Sequence, residues 1–237
     1  MADLPTTNAD RTDAPIPVGG MDFGSFRRLQ PVSRQFGCDR GRCLDRYYIE
    51  RFLDEHAGDV RGRVLEVGEN TYTRRFGGSR VTQSDILHVQ AGARRATIIS
   101  DLTAAPELPA DRFDCIILTQ TLLCIYDVHA AVRTLARILA PGGVLLATVP
   151  GISQISRYDA ERWGDYWRFT TASARRLFDE VFDPANVQVA SHGNVLAAVA
   201  FLHGLAVEEL TAEELDYRDP DYELIITVRA VKAGADV

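Results

Sequence analysis

Residues 113–150 read FDCIILTQTLLCIYDVHAAVRTLARILAPGGVLLATVP. The run FDCIILT at 113–119 is rich in Ile, Leu and other apolar residues on both faces, as a strand covered by helices on each side must be. GVLLATV at 143–149 is a second run of the same kind. Between them Val128, Ala131, Val132, Leu135, Ile138 and Leu139 form one apolar face, which predicts a helix over Asp127–Leu139. Asp127 supplies the N-cap oxygen, and Pro141-Gly142-Gly143 stops the helix. Two strands joined through a helix belong to a parallel sheet, so this stretch places the chain in the α/β class.

The pattern continues outward in both directions. Upstream lie the β-type runs RVLEV at 63–67, RVTQS at 80–84 and ATIIS at 96–100. Before them Leu44, Tyr48, Ile49, Phe52 and Leu53 mark an amphipathic helix over Leu44–Ala57, stopped by Gly58. Downstream, Ala174, Leu177, Phe178 and Val181 predict a helix over Thr171–Phe182. NVQVASH then reads as a sixth strand, and YELIITVRAV at 222–231 as a long last one. The organisation expected is a Pro-, Thr- and Asp-rich tail over 1–20, a helical lead over 21–59 and one domain over 60–237. The short strands and helices leave an aromatic insert at about 152–170.

Composition excludes several classes. At 46% hydrophobic and 25% charged residues the 237-residue chain has a globular rather than a disordered composition. Its net charge of −7 and the lack of a basic stripe argue against nucleic acid and anionic membrane as partners. The longest nearly apolar stretch, Leu196–Val207, is about 12 residues against the roughly 20 that span a bilayer. The first twenty residues hold no apolar core of a secretory signal, so a cytoplasmic protein is expected. Cys38, Cys43, Cys115 and Cys124 are irregularly spaced and read as reduced thiols, with no metal site.

In an open parallel sheet, ligands bind at the carboxyl ends of the strands. The first strand runs out into Glu66, Gly68, Asn70 and Tyr72, where Gly68 lets backbone approach a ligand and Asn70 tolerates the left-handed conformation. Asp85 and Ile86 follow the second, placing a carboxylate suited to the two hydroxyls of a ribose. Asp101-Leu102 follows the third, an acid for an amino group with a leucine to cover a ring. The fourth delivers Thr119-Gln120-Thr121.

With LEVGEN, Asp85, Asp101-Leu102, FDCIILTQTLLCIYD and LAPGGVLLATVP, the chain resembles the class I S-adenosylmethionine-dependent methyltransferases over roughly residues 60–231. The resemblance implies a Rossmann-like, doubly wound α/β/α fold with a seven-stranded sheet whose last strand is antiparallel. It also implies S-adenosylmethionine as cofactor, held by the strand-end residues just named. The family's first loop usually reads acid-x-Gly-x-Gly-x-Gly. Here Gly68 stands alone, with Asn70 and Tyr72 at the other glycine positions. That departure disfavours a nicotinamide-dependent oxidoreductase, whose pyrophosphate needs the glycine-rich turn. It leaves open a methyltransferase-like protein that binds without catalysing.

The insert ISRYDAERWGDYWRFT resembles the acceptor-pocket border of small-molecule and sugar-modifying members. On that basis Tyr158, Trp163 and Trp167 are expected to meet a small polar acceptor, and a packed aromatic corner is the alternative. An oxygen acceptor needs a base. Asp165 ranks first, as a carboxylate desolvated between two tryptophans, then His192 after the sixth strand, and Asp159. Asp127, Asp159 and Asp165 have no tight ligand spacing, so no metal is expected. Arg46-Tyr47-Tyr48 stands where a helix could hold the methionine carboxylate or simply face solvent. A homodimer stays open.

Overall fold

The computed structural model describes residues 16–234. In chain order its strands are β1 (Gly62–Val67), β2 (Val81–His88), β3 (Ile98–Ile99), β4 (Phe113–Thr119), β5 (Leu139–Pro150), β6 (Val187–His192) and β7 (Ile225–Val231). The helices are α1 (Leu44–Glu55), α2 (Val128–Ile138), the single turn α3 (Arg157–Ala160), α4 (Thr171–Asp179), α5 (Val195–His203) and α6 (Ala212–Asp216). The strands form one sheet in the order β3-β2-β1-β4-β5-β7-β6. β1 to β5 pair in parallel, and β7 inserts antiparallel between β5 and β6. This is the doubly wound sheet with an antiparallel last strand expected from the sequence.

The two-sided apolar runs have a direct structural reason. Along β4, Ile116 and Leu118 pack with α2 and α4 on one face, while Cys115 and Ile117 pack with α1 and α5 on the other, all fully buried. Over Cys115–Leu118 neither face meets water, so the usual alternation with polar residues is absent there. Asp127 caps α2 as its position predicts, accepting from the Ala130 N–H at 2.9 Å. α5 is less obvious in the sequence. Its buried side is Ala197, Ala198, Ala200 and Phe201, and its exposed side is also apolar, with Val195, Leu196, Val199 and Leu202.

Several boundaries shift, and one shift matters for function. β2 does not stop near Ser84. Its pairing with β1 continues through Asp85, Ile86 and Leu87 opposite Leu65, Glu66 and Val67. Asp85 and Ile86 are therefore interior strand residues, and His88 stands at the carboxyl end. β3 shrinks to two residues, and α4 ends three residues before the expected Phe182. β5 starts early, because Leu139 already pairs with Phe113 and the Pro141-Gly142-Gly143 turn is absorbed in a register shift. Between β1 and β2 the chain makes two short turns, the wide five-residue turn Thr73–Gly77 and the single turn Gly78–Arg80, in place of a full helix.

The chain divides into two units between Gln30 and Pro31. By itself, the first has among its described residues a hydrogen-bonded turn at Pro17–Gly20 and a short 3-10 turn, Gly24–Phe26, with Asp22 accepting from the Gly24 N–H and Arg27 lying over the Phe23 ring. Of the tail expected over 1–20, residues 1–15 lie outside the described residues. Among the described residues no helix is long and apolar enough to cross a membrane.

Candidate functional site

A cavity of about 510 Å³ opens at the carboxyl ends of β4 and β5, where Gln120 and Pro150 leave the sheet. Its other walls are the segment leading into α1, with Phe36, the first turn of α1, with Asp45 and Arg46, and the insert, with Tyr158, Asp159 and Asp165. This is the place that the topology reserves for ligands. Gln120 adopts a left-handed φ of 46°, held by its N–H on the Thr148 carbonyl at 2.9 Å. A non-glycine residue in that region is uncommon and concentrates at functional edges. Its neighbours Thr119 and Thr121 build the turn, the Thr121 hydroxyl donating to the Thr119 carbonyl at 3.0 Å. Of the three, Gln120 alone lines the cavity.

The first loop is organised by Glu66. This carboxylate, 3% exposed, accepts from the Tyr72 N–H at 3.2 Å and from the Thr73 N–H and hydroxyl at 2.7 Å each. Burial pushes the Glu66 carboxyl upward against these hydrogen bonds. Glu66 is thus a staple for the loop. Gly68 keeps φ at 89°, and a Cβ there would meet nothing within 4 Å, so the strand end is open to a ligand at that point. Asn70 is turned inward, its amide donating to the Ser84 hydroxyl at 3.1 Å.

Asp85 is not brought to the cavity. It is 5% exposed within β2 and accepts from the Arg63 guanidinium at 2.7 Å and the Thr97 hydroxyl at 3.2 Å. Ile86 is likewise buried. Leu102 is 3% exposed and packs with Leu65, Leu87 and Leu118, so it fills the core instead of offering a face to a ring. Asp101 is exposed. One of its oxygens accepts from the Thr103 N–H and hydroxyl at 2.8 Å each.

At the opposite wall Asp45 and Arg46 begin α1. Asp45 Oδ1 and Arg46 Nη1 are both buried with no hydrogen-bond partner among the described residues, and Arg46 Nη1 stands 3.5 Å from the other Asp45 oxygen. Burial drives the Asp45 carboxyl upward, with Arg46 opposing. Burial also works against the Arg46 charge, and the surrounding Asp45, Tyr72, Glu50 and Glu69 more than offset it. A buried polar atom left without a hydrogen bond is costly unless a ligand completes it. Tyr47 and Tyr48 take no part: their hydroxyls donate to Asp216 at 2.6 Å and to the Leu215 carbonyl at 3.0 Å.

The insert separates into structural and free groups. Asp165 accepts from the Ser156 N–H at 2.8 Å and from both Arg168 nitrogens. Burial would raise its carboxyl, but the Arg168 hydrogen bonds, the Ser156 N–H and the Arg168 charge together hold it below the usual range. It is a tethered anion and a poor base, contrary to its expected first rank. Asp159 lines the same cavity, and among the described residues its carboxylate has no hydrogen-bond or ion-pair partner. Tyr158 also lines it, with the Arg162 guanidinium over its ring at 3.7 Å. Trp167 packs on the core beside Tyr126 and donates to the Ile125 carbonyl at 3.0 Å, the aromatic-corner alternative. Trp163 lies against Tyr158 and outside the cavity wall.

His192 is also removed from the site. It ends β6 beneath the Tyr48 ring and bonds Thr227 Oγ1 at 3.1 Å. Burial, helped by Arg218, pushes its pKa down to about 4. Because the folded value lies below the unfolded one, the neutral ring contributes stability that is present above about pH 6.5 and lost as pH falls toward 4. Stability should drop by about 2 kcal/mol between about pH 7 and pH 5 from this group alone. In His192→Gln that part of the acid limb should flatten, as read by urea unfolding at each pH; an unchanged slope would contradict the assignment.

Two cysteines correct the sequence reading. Cys38 and Cys43 are disulfide-bonded across a tight turn in which the Gly41 N–H donates to the Gly37 carbonyl, and both line the cavity. Cys115 and Cys124 are free thiols, and burial, with Asp159 and Asp165 nearby, pushes Cys124 up to about 12. Asp127 is occupied as the α2 cap. Among the described residues no cluster of three or more His, Cys, Asp or Glu is arranged for a metal ion.

The methyltransferase domain family matches residues 36–186. No curated protein matches the chain in sequence. Three solved structures illustrate the similarity in fold. An S-adenosylmethionine-dependent methyltransferase from Mesorhizobium loti is 20% identical, with 80% of this chain and 100% of that one covered and a TM-score of 0.56. The [4+2]-cyclase SpnF is 17% identical over 88% of this chain and 89% of its own, with a TM-score of 0.54. The N-methyltransferase NodS from Bradyrhizobium japonicum, in complex with S-adenosyl-L-homocysteine, is 14% identical over 81% and 89%, with a TM-score of 0.50.

Proposed function

The chain belongs to the methyltransferase domain family and is an S-adenosylmethionine-dependent methyltransferase, and from that premise we propose that it methylates a hydroxyl of a small polar acceptor, such as a sugar or secondary metabolite. The observation that carries this reading is the cavity itself. Among the described residues it holds on one wall the Arg46–Asp45 pair, with one buried atom of each lacking a hydrogen bond, and on another a carboxylate without a partner, Asp159.

The pair suits the amino acid end of the cofactor, whose carboxylate would complete Arg46 and whose ammonium would complete Asp45. Gly68 leaves the strand end open, while Asn70 and Tyr72 shape the loop beside it. Gln120 borders the cavity between the two ligands. When bound, S-adenosylmethionine supplies a methyl group on a positively charged sulfur. The protein then has to align an oxygen with that methyl and take its proton. Asp159 accepts the proton, and Tyr158 hydrogen-bonds the acceptor. Asp165, clamped by Arg168, holds Ser156 and so fixes the start of the turn that carries Asp159.

Protein that binds S-adenosylmethionine and S-adenosylhomocysteine by calorimetry, and not NADH, meets the expectation; NADH binding alone would overturn it. A second reading, the fold kept for binding or another reaction, draws on the reduced loop at 68–72 and on the likeness to a cyclase. Cofactor binding without methyl transfer to any of a panel of sugars and phenols would favour it.

A further inference from the structure

The charges on the cavity wall do not cancel. Four arginines and three aspartates line it. Arg168 is bound to Asp165 and to the Ser153, Gln154 and Trp167 carbonyls, and Arg46 faces Asp45 at 3.5 Å. Arg34 and Arg157 are different: both are exposed, and among the described residues neither guanidinium has a hydrogen-bond or ion-pair partner. They reach the cavity from two segments. Arg34 lies before α1, and its carbonyl accepts from the Gln154 Nε2–H at 3.1 Å, which ties that main chain to the insert. Arg157 is the first residue of α3, two before Asp159, and neither arginine closes on that carboxylate. A chain of net charge −7 repels anions at long range, so two unneutralised guanidinium groups on one concave wall are a local reversal of sign. Each offers a fork of N–H donors that matches the paired oxygens of a carboxylate or phosphate.

We propose that the acceptor is a small anion, a hydroxy compound whose carboxylate or phosphate group is held by Arg34 and Arg157. The proposal rests on the reading that this chain methylates a hydroxyl, and it names the acceptor's second group. The signs along the wall then set the orientation. The anionic end is drawn to the arginines and turned away from Asp159, so the neutral hydroxyl is the part that can approach the base. Arg46 stays with the amino acid end of the cofactor. A neutral sugar or phenol leaves both guanidinium groups in solvent and gains nothing from them.

Calorimetry on protein saturated with S-adenosylhomocysteine tests the site with two matched pairs, 4-hydroxybenzoate against phenol and glucose 6-phosphate against glucose. A charged member should bind about 10-fold or more tighter than its neutral partner, with an advantage that shrinks as salt is raised. Which pair shows it tells carboxylate from phosphate. Arg34→Gln and Arg157→Gln should each weaken that charged member by about 3- to 10-fold, spare its neutral partner and S-adenosylhomocysteine, and together remove the advantage. Thermal unfolding confirms that the variants are folded, and Arg34→Lys and Arg157→Lys, which keep the charge and lose the fork, should fall between wild type and Gln. No advantage for either charged member, an advantage that survives the double variant, or a loss of S-adenosylhomocysteine affinity in either Gln variant would overturn the proposal. Methyl transfer separates it from the reading beneath it. A charged member held through the two arginines and methylated at no hydroxyl overturns hydroxyl methylation and leaves the anion site, whereas preferred methylation of phenol or glucose does the reverse.

Discussion

Asp159→Asn should lower turnover by about 10²- to 10⁴-fold and leave the affinity for S-adenosylhomocysteine unchanged. The substitution keeps size and hydrogen-bonding reach and removes only the ability to hold a proton. The expectation singles out Asp159 because its competitors are engaged. Asp165 is locked between Ser156 and Arg168, which hold it as an anion of low basicity. His192 lies under Tyr48, away from the cavity. Asp165→Asn should therefore act differently, loosening the turn that carries Asp159 and raising KM for the acceptor together with a fall in thermal midpoint. Single-turnover assays with the acceptor, once identified, separate the two. Wild-type turnover in Asp159→Asn would remove the base from this position. Loss of activity in EDTA, restored by magnesium, would transfer its role to a metal.

The fold was legible because its signals are local and redundant. An apolar run, a capped helix and a Pro-Gly-Gly stop specify a parallel pair whatever the rest of the chain does, and β4, α2 and β5 match them. The site was legible only in part, because it depends on where strands end. Asp85 has the right residue type and about the right distance from Gly68. The ladder with β1, however, carries β2 past it to His88, a matter of register that no residue pattern displays. Leu102 reads as a residue for a ring face and is core, since a buried leucine looks the same in sequence either way. The Cys38–Cys43 bond depends on the turn at Gly37–Gly41 bringing the Cα atoms to 4.7 Å. Asp165 between two tryptophans suggests desolvation. Arg168, three residues on, decides the matter the other way, and an acid–arginine spacing of that kind is the signal that would have found it. α5 escaped notice because small residues face inward and branched ones outward, which erases the amphipathic contrast.

Arg46→Met should weaken S-adenosylhomocysteine by about 10- to 150-fold, the loss of a hydrogen-bonded charge pair, and leave 5′-methylthioadenosine unaffected. Methionine keeps the unbranched stem and removes the guanidinium, so packing at the start of α1 changes little. Among the described residues Nη1 is buried and lacks a hydrogen bond, and Asp45, 3.5 Å away, has an unpaired oxygen of its own. Two opposite charges that only face each other at 3.5 Å would close to hydrogen-bond distance if the site were built for their own pairing. Held apart at the cavity wall, they present a donor for a carboxylate and an acceptor for an ammonium, the two charges of an amino acid. Methylthioadenosine carries the nucleoside and the sulfur and lacks that amino acid end. It therefore separates loss of a contact from loss of the pocket. Asp45→Asn completes the comparison. It should cost less than Arg46→Met, because burial already works against the Asp45 charge, and its cost should grow with pH as the wild-type carboxyl ionises. Equal weakening of both ligands in Arg46→Met would mean that α1 supports the pocket mechanically. Unchanged binding of both would return Arg46 to a solvated helix face.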